Sequence, residues 1–358
     1  MLVMNKAPKV TRKGRKMRRF GFGLAALIAT PLVVAACSSL PKGKLELRLA
    51  ELGKNSSIGT LDRLVFSADL GDGAQSYELV YYHVASSSGD AAGPPRNPVV
   101  LVHGTPSTLY SWSELIHGVE GSALRAGFEG LAKDRDVYAI EVIGHGIAPE
   151  VSGEISFERC ARFVSAAIRG LGLDQVQLVG SSYGGEFVWR AALNEPELVE
   201  SLVLIDSSGV RRRDADWLPE EVEMRDNPLA KIGWVLNSRE RIDVALAPHF
   251  KGVPPDRTEE FFLVCDNASN WKGMVDLARD ENGDREDELA QISMPTLLLW
   301  GGDDIAYTPS YYAQRFADLI EGAELTILPG IGHYPHEQAP AQVVGILEEF
   351  FQKVGAQQ

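Results

Sequence analysis

The chain has 358 residues, 45% of them apolar and 23% charged, with a formal net charge of -14. That is enough for one large folded domain or two ordinary ones, each with a full core. Residues 1–36 hold eight Lys or Arg and no acid, so the rest of the chain carries a net charge near -22. Such a body repels phosphate backbones, which excludes nucleic acid as a natural partner, and it offers no polybasic patch for anionic lipid.

In chain order, the basic stretch Lys13–Arg19 precedes an uncharged run, Phe20–Ala36, broken by Pro31. The run is shorter than the ~20 residues a spanning helix needs, and it ends in small residues. This pattern predicts a secretory signal over residues 1–36. Val34-Ala35-Ala36-Cys37 resembles the bacterial lipoprotein box. The resemblance implies acylation of the Cys37 thiol and an extracytoplasmic protein, anchored on the periplasmic side of a membrane by lipid or else secreted. Cys160 and Cys265 are the other two cysteines. They could pair in an oxidising compartment or stand apart as small core residues, and no cysteine spacing suggests a metal. Residues 37–75 read as a tether with a helical piece at Leu45–Leu52.

From Tyr77 a strand pattern begins. Apolar, β-branched-rich runs then recur at Val99–Val102, Val137–Ile143, Val176–Val179, Leu202–Ile205, Thr296–Trp300 and Glu324–Leu328. Runs apolar on both faces belong in a parallel sheet covered on both sides. Between them, Cys160, Phe163, Val164, Ala167, Ile168 and Leu171 recur at helical spacing, as do Val343, Leu347, Phe350 and Phe351. The alternation predicts an α/β fold with a mostly parallel sheet. It is interrupted between Asp206 and Thr296, far more than the ~30 residues a βαβ unit needs. Residues 210–291 are charged, carry several prolines and hold Trp217, Trp234 and Trp271, which predicts an inserted helical cap. The core is then 76–209 together with 292–358.

The chemistry gathers after the strand runs. Gly180-Ser181-Ser182-Tyr183-Gly184-Gly185 follows one run and opens a helix, so it reads as a G-x-S-x-G elbow with Ser182 at its apex. Gly180 and Gly184 relieve the crowding of so tight a turn. A hydroxyl needs a base, and His333, in Gly330-Ile331-Gly332-His333, follows the last strand. The orienting acid belongs between them. Asp304, just past Thr296–Trp300, is the expected one, with Asp303 and Asp206 as alternatives. Oxyanion donors are expected from the Tyr183 amide at a helix N-terminus and from the Thr105 amide in His103-Gly104-Thr105-Pro106. His103 and His145 are expected to brace loops. Tyr110 and Trp112, near the same turn, could either wall the acyl side or pack inside.

These stretches, with Trp300-Gly301-Gly302-Asp303-Asp304 and Gly332-His333-Tyr334-Pro335, resemble the motif series of the α/β-hydrolase superfamily over roughly residues 77–355. The nearest likeness is to its capped branch of esterases, C–C hydrolases, epoxide hydrolases and haloalkane dehalogenases. The resemblance implies an eight-stranded sheet flanked by helices, a Ser182–His333–Asp304 triad, a pocket beneath the cap, and no metal or organic cofactor. Epoxide hydrolases and haloalkane dehalogenases carry Asp where this chain has Ser182, which argues against both. Beside Gly144-His145-Gly146, Glu141 and Ile147 depart from the usual Asp and Ser. The expected activity is hydrolysis of a small carboxylic ester through an acyl-enzyme. Hydrolysis of a C–C bond in a vinylogous diketone and a non-catalytic binding role are the alternatives. Neither oligomeric state nor acyl length is written in the sequence.

Overall fold

The computed structural model describes residues 39–52, 59–87, 96–121, 126–213, 216–250 and 252–356. The expected signal sequence and Cys37 lie outside them. The strands are β1 (Asp62–Asp69), β2 (Ala74–Val84), β3 (Val99–Val102), β4 (Gly118–Val119), β5 (Phe128–Glu129), β6 (Val137–Ile140), β7 (Val176–Ser181), β8 (Val199–Ile205), β9 (Thr296–Gly301) and β10 (Glu324–Leu328). Eight of them form one sheet in the order β1-β2-β6-β3-β7-β8-β9-β10, and β4 pairs only with β5. From β6 to β10 every neighbour is parallel, whereas β1–β2 and β2–β6 are antiparallel.

Strands β3, β7, β8 and β9 are buried along their whole length, because helices cover both faces of the sheet. On one face lie α3 (Phe157–Gly170), α4 (Tyr183–Asn194) and α9 (Tyr312–Leu319). Phe163, Val164, Phe187 and Phe316 from these helices pack into a core with Leu178, Leu202 and Leu298. Ser156 starts α3 by accepting the Arg159 amide at 3.2 Å, the side-chain cap worth about 1 kcal/mol to a helix. On the other face lie α1 (Lys42–Glu51), α2 (Ser113–His117) and α11 (Pro340–Gly355), whose Leu45, Leu49, Leu115, Leu347 and Phe351 pack with Leu101, Val179 and Leu299. Burying each such side chain contributes about 1.5–3 kcal/mol.

The interval between β8 and β9 is helical throughout its described elements, as expected for a cap: α5 (Pro219–Asp226), α6 (Arg239–Leu246), α7 (Pro255–Cys265) and α8 (Ala268–Asp280), with short 3-10 helices among them. It has a small apolar centre of its own, in which Ile242, Leu246, Phe250, Phe261 and Met274 meet Tyr334 from the core. The remaining helix is α10 (Pro335–Gln338).

Three expectations need correction or a decision. Residues 39–52 and 59–75, expected as part of a tether over 37–75, belong to the folded body. Leu45 and Leu49 of α1 are fully buried, and β1 pairs with β2 along all eight of its residues, because α1 is amphipathic enough to cover the sheet. Tyr110 and Trp112 are buried packing groups rather than walls of the cavity above Ser182. The Trp112 ring lies 4.4 Å from that of His336, and Tyr110 borders a separate cleft with Phe250 and Arg257. Cys160 and Cys265 are separate buried thiols, one on α3 and one on α7.

Candidate active site

Strand β7 runs straight into α4 through Ser182, which is held at φ +55° and ψ -125°. A non-glycine residue in that region is strained, and the neighbouring backbone holds it there. Its N–H donates to Ile205 O at 2.9 Å, and its carbonyl accepts from Gly185 N at 2.9 Å and Ser208 N at 3.2 Å. The turn closes only because two side chains are missing. A Cβ on Gly180 would sit 2.3 Å from Gly184 O, and one on Gly184 would sit 2.3 Å from His103 O. The Ser182 side chain does not cap α4, so it is not drawn back onto the helix. The Tyr183 amide stands in the first turn, where the helix dipole favours negative charge.

The turn after β3 abuts this elbow. A Cβ on Gly104 would come within 2.7 Å of Ser182 Cβ. His103 braces the turn: its Nδ1–H donates to Gly104 O at 2.8 Å, and its Nε2 accepts from Val142 N at 3.3 Å. His145 braces the next residue through a short hydrogen bond between its Nε2 and Thr105 Oγ1, while its Nδ1–H donates to Ile143 O at 2.9 Å. Burial pushes the His145 ring down to about 3, so it stays neutral and accepts the Thr105 hydroxyl.

The acid–base pair comes from the loops after β9 and β10. His333 Nδ1 lies 2.9 Å from Asp304 Oδ2. The carboxylate can only accept, so Nδ1 carries the hydrogen, and the Nε2 lone pair of the neutral ring is left as the base. Asp304 Oδ1 accepts from Ala306 N at 2.8 Å and Tyr307 N at 3.3 Å. Burial alone would raise the Asp304 carboxyl, but His333, then Asp206 and the Ala306 amide, hold it below its ordinary value. Asp303 is exposed and serves the loops through its amide, which donates to Ile331 O at 2.8 Å.

Asp206 has a different role. It lies at the end of β8 with φ +45°, and one of its oxygens accepts from Gly301 N at 3.0 Å. Burial and the neighbouring Asp304 charge push its carboxyl well up, because two adjacent buried carboxylates cannot both ionise. Of the two carboxyls, Asp206 is the one that keeps its proton to higher pH. Asp206, Asp304 and His333 are the one group of three with ligand-type atoms within 4.8 Å of one another among the described residues. Within this group His333 Nδ1 and Asp304 Oδ2 are bonded to each other.

Ser182, Tyr183, Thr105, Pro106 and His333 border one cavity of about 200 Å³. Its roof is the cap, with Met224, Ile242, Leu246, Phe261, Trp271 and Met274. Of the three cap tryptophans only Trp271 borders it, whereas Trp217 stacks on the Arg212 guanidinium.

Two further polar groups at this seam were not foreseen. His249 reaches the cavity from the cap, its ring 5.6 Å from that of His333, and burial, with His333 close by, lowers it to about 4. Buried Glu281 accepts from Tyr183 OH at 2.7 Å and Tyr307 OH at 2.9 Å, and it pairs with Arg212 at 3.2 Å. Neither His249 nor Glu281 sits in a local motif, and no periodicity could have singled them out.

A doubly covered parallel sheet carrying a strained serine elbow on one strand, and an acid and an imidazole beyond two others, defines the architecture of α/β hydrolases. The chain belongs to the alpha/beta hydrolase family, whose model matches residues 99–346. It is 25% identical over 261 residues to an uncharacterized hydrolase of Bacillus subtilis (strain 168), covering 72% of this chain and 90% of that one. It is likewise 25% identical over 263 residues to a 2-hydroxy-6-oxo-2,4-heptadienoate hydrolase of Pseudomonas putida, covering 71% and 88%. Among solved structures, a membrane phospholipase A described as a bacterial virulence factor superposes with a TM-score of 0.66 at 23% identity, covering 92% of this chain and 98% of that one.

Proposed function

We propose that the protein hydrolyses a small or medium carboxylic ester through an acyl-enzyme on Ser182. In this reading His333 Nε2 takes the Ser182 proton as Oγ attacks the carbonyl carbon. The amides of Tyr183 and Thr105 receive the oxyanion, and His333 then protonates the departing alkoxide. Water repeats the sequence against the acyl-enzyme with the same base. Asp304 keeps the ring in the tautomer this requires and stabilises the imidazolium. The observation that carries the reading is convergence: Ser182, His333, Thr105 and Tyr183 come from three separated loops and border the same cap-covered cavity. Its apolar roof suits an acyl chain.

A fluorophosphonate probe tests the reading. The expected result is covalent labelling at Ser182, lost in Ser182→Ala together with at least ~10⁴-fold in kcat on p-nitrophenyl esters. A folded wild-type protein that takes no label would overturn it in favour of a binding role. Resemblance to the Pseudomonas putida enzyme keeps C–C hydrolysis as a second reading. A vinylogous diketone turned over faster than every ester in a graded series would establish that alternative.

The same proposal includes an extracytoplasmic protein tethered through acylated Cys37. Among the described residues no helix is long and apolar enough to cross a membrane. Mass spectrometry of the N-terminal peptide would detect the acyl groups, and an unmodified Met1 terminus would sink this part.

A further inference from the structure

The segment that precedes and opens α1 reaches both the oxyanion side of the site and the cap. The Lys42 ammonium donates to His145 O at 3.0 Å, to Gly146 O at 2.7 Å and, by a short contact, to Asn270 Oδ1. All three of its hydrogens therefore have acceptors, two from the core loop after β6 and one from cap helix α8. Burial drags the ammonium down to about 7 against the pull of Glu141 and Glu150, so a full set of acceptors is what such a position demands.

The contacts continue on both sides. Towards the cap, Leu40 N donates to Asp266 O at 3.1 Å, and Asn267 Nδ2 donates to Leu40 O at 2.6 Å. Asn270 Nδ2 crosses back to Gly146 O at 3.0 Å. Towards the site, the residue whose carbonyl Lys42 holds is His145, and the His145 ring holds the Thr105 hydroxyl. Glu141 pins the same loop by accepting from Ile147 N at 3.1 Å and Leu109 N at 3.0 Å.

From this geometry we infer that residues 40–42 are a strap locking the cap to the oxyanion loop, with Lys42 a positioning residue for Thr105. The inference rests on the ester-hydrolase reading above. Lys42 touches no reacting atom. It fixes where the 145–146 backbone lies, the His145 ring transmits that position to Thr105, and the Asn270 arm keeps α8 seated above. Misplacing an oxyanion donor lowers the rate of the chemical step and leaves ground-state binding nearly untouched.

The test uses the full chain with Lys42→Met, which keeps the length of the side chain and removes its donors. The expected result is a kcat on p-nitrophenyl butyrate lower by about tenfold, KM within about twofold, and a parallel drop in the fluorophosphonate labelling rate. The protein should remain folded at the assay temperature. Asn270→Ala, which removes the cap's acceptor for Lys42 and its donor to Gly146 O but leaves Lys42 on the 145–146 carbonyls, should lower kcat by a smaller factor, about threefold, again at constant KM. A folded Lys42→Met protein with wild-type kcat overturns the inference, as does an activity loss that only tracks the unfolded fraction. Should Lys42→Met fail to fold, Asn270→Ala with unchanged kcat overturns it instead. A wild-type protein inert to the probe defeats the ester-hydrolase reading, an outcome these ratios keep separate.

Discussion

At the carboxyl rim of the sheet, backbone amides hold the polar side chains: Asp304 by Ala306 and Tyr307, Asp206 by Gly301. In the cap, the side chains hold one another. Arg212 pairs with Glu221 and Glu281, Arg257 with Glu260 and across to Glu337 of core helix α10, and Lys231 with Asp276. The rim acids are thus held by main-chain donors, and the cap groups by charged side chains of opposite sign. Rim residues should act on rate with modest effects on stability, and buried cap pairs should do the reverse.

The largest expected effect is at the rim. Asp304→Asn should lower kcat by about 10³–10⁴-fold with little change in Tm, because the ring loses the acceptor that fixes its tautomer. Steady-state kinetics and a melting curve on one sample check both halves. In the cap, Arg212→Met leaves buried Glu281 without its cation, and chemical denaturation should show a loss of about 3–5 kcal/mol. Adding Glu281→Gln to that variant should restore much of it. Equal stability of the two would show that the pair is not what seats the cap. Gly180→Ala is next, at about 3 kcal/mol, since its methyl would lie 2.3 Å from Gly184 O. Soluble yield and Tm report it.

The smallest effect separates the two rim acids. The Asp206 carboxyl is raised in the folded state. Its stabilising contribution is therefore complete below the ordinary carboxyl pKa and is lost as pH rises towards the folded value. Asn never ionises, so Asp206→Asn should melt increasingly higher than wild type as pH rises above the ordinary carboxyl range, with kcat within tenfold. A rate loss as large as that of Asp304→Asn would make Asp206 the working acid.

The same contrast explains what could be read from sequence. Strands β3, β7 and β9 announce themselves because they are apolar on both faces, Ser182 and Asp304 because each follows such a strand within a few residues, and His333 because it follows the last strand run in a glycine-flanked loop. Strand β1 escaped because it is a half-exposed edge. Asp62, Arg63 and Asp69 give it the polarity of a linker, and its pairing with β2 is visible only in three dimensions. The cap was legible as an interruption, but its internal pairs were not. Arg212 and Glu281 lie 69 residues apart, and Lys42 lies 228 residues from Asn270. No window of sequence contains both partners.

The two separate thiols bear on experiments with this fold. Cys160 lies in the packed face of α3 and Cys265 beside Met274 in the cap, 3.9 Å between sulfurs, and burial pushes both thiols up out of the reactive range. An alkylating reagent can then reach Cys265 when the roof lifts, and Cys160 only when the sheet loses a helix. In a chain with Ser in place of Cys37, the two modification rates, separable by peptide mass, would time the lifting of one layer against the melting of the other.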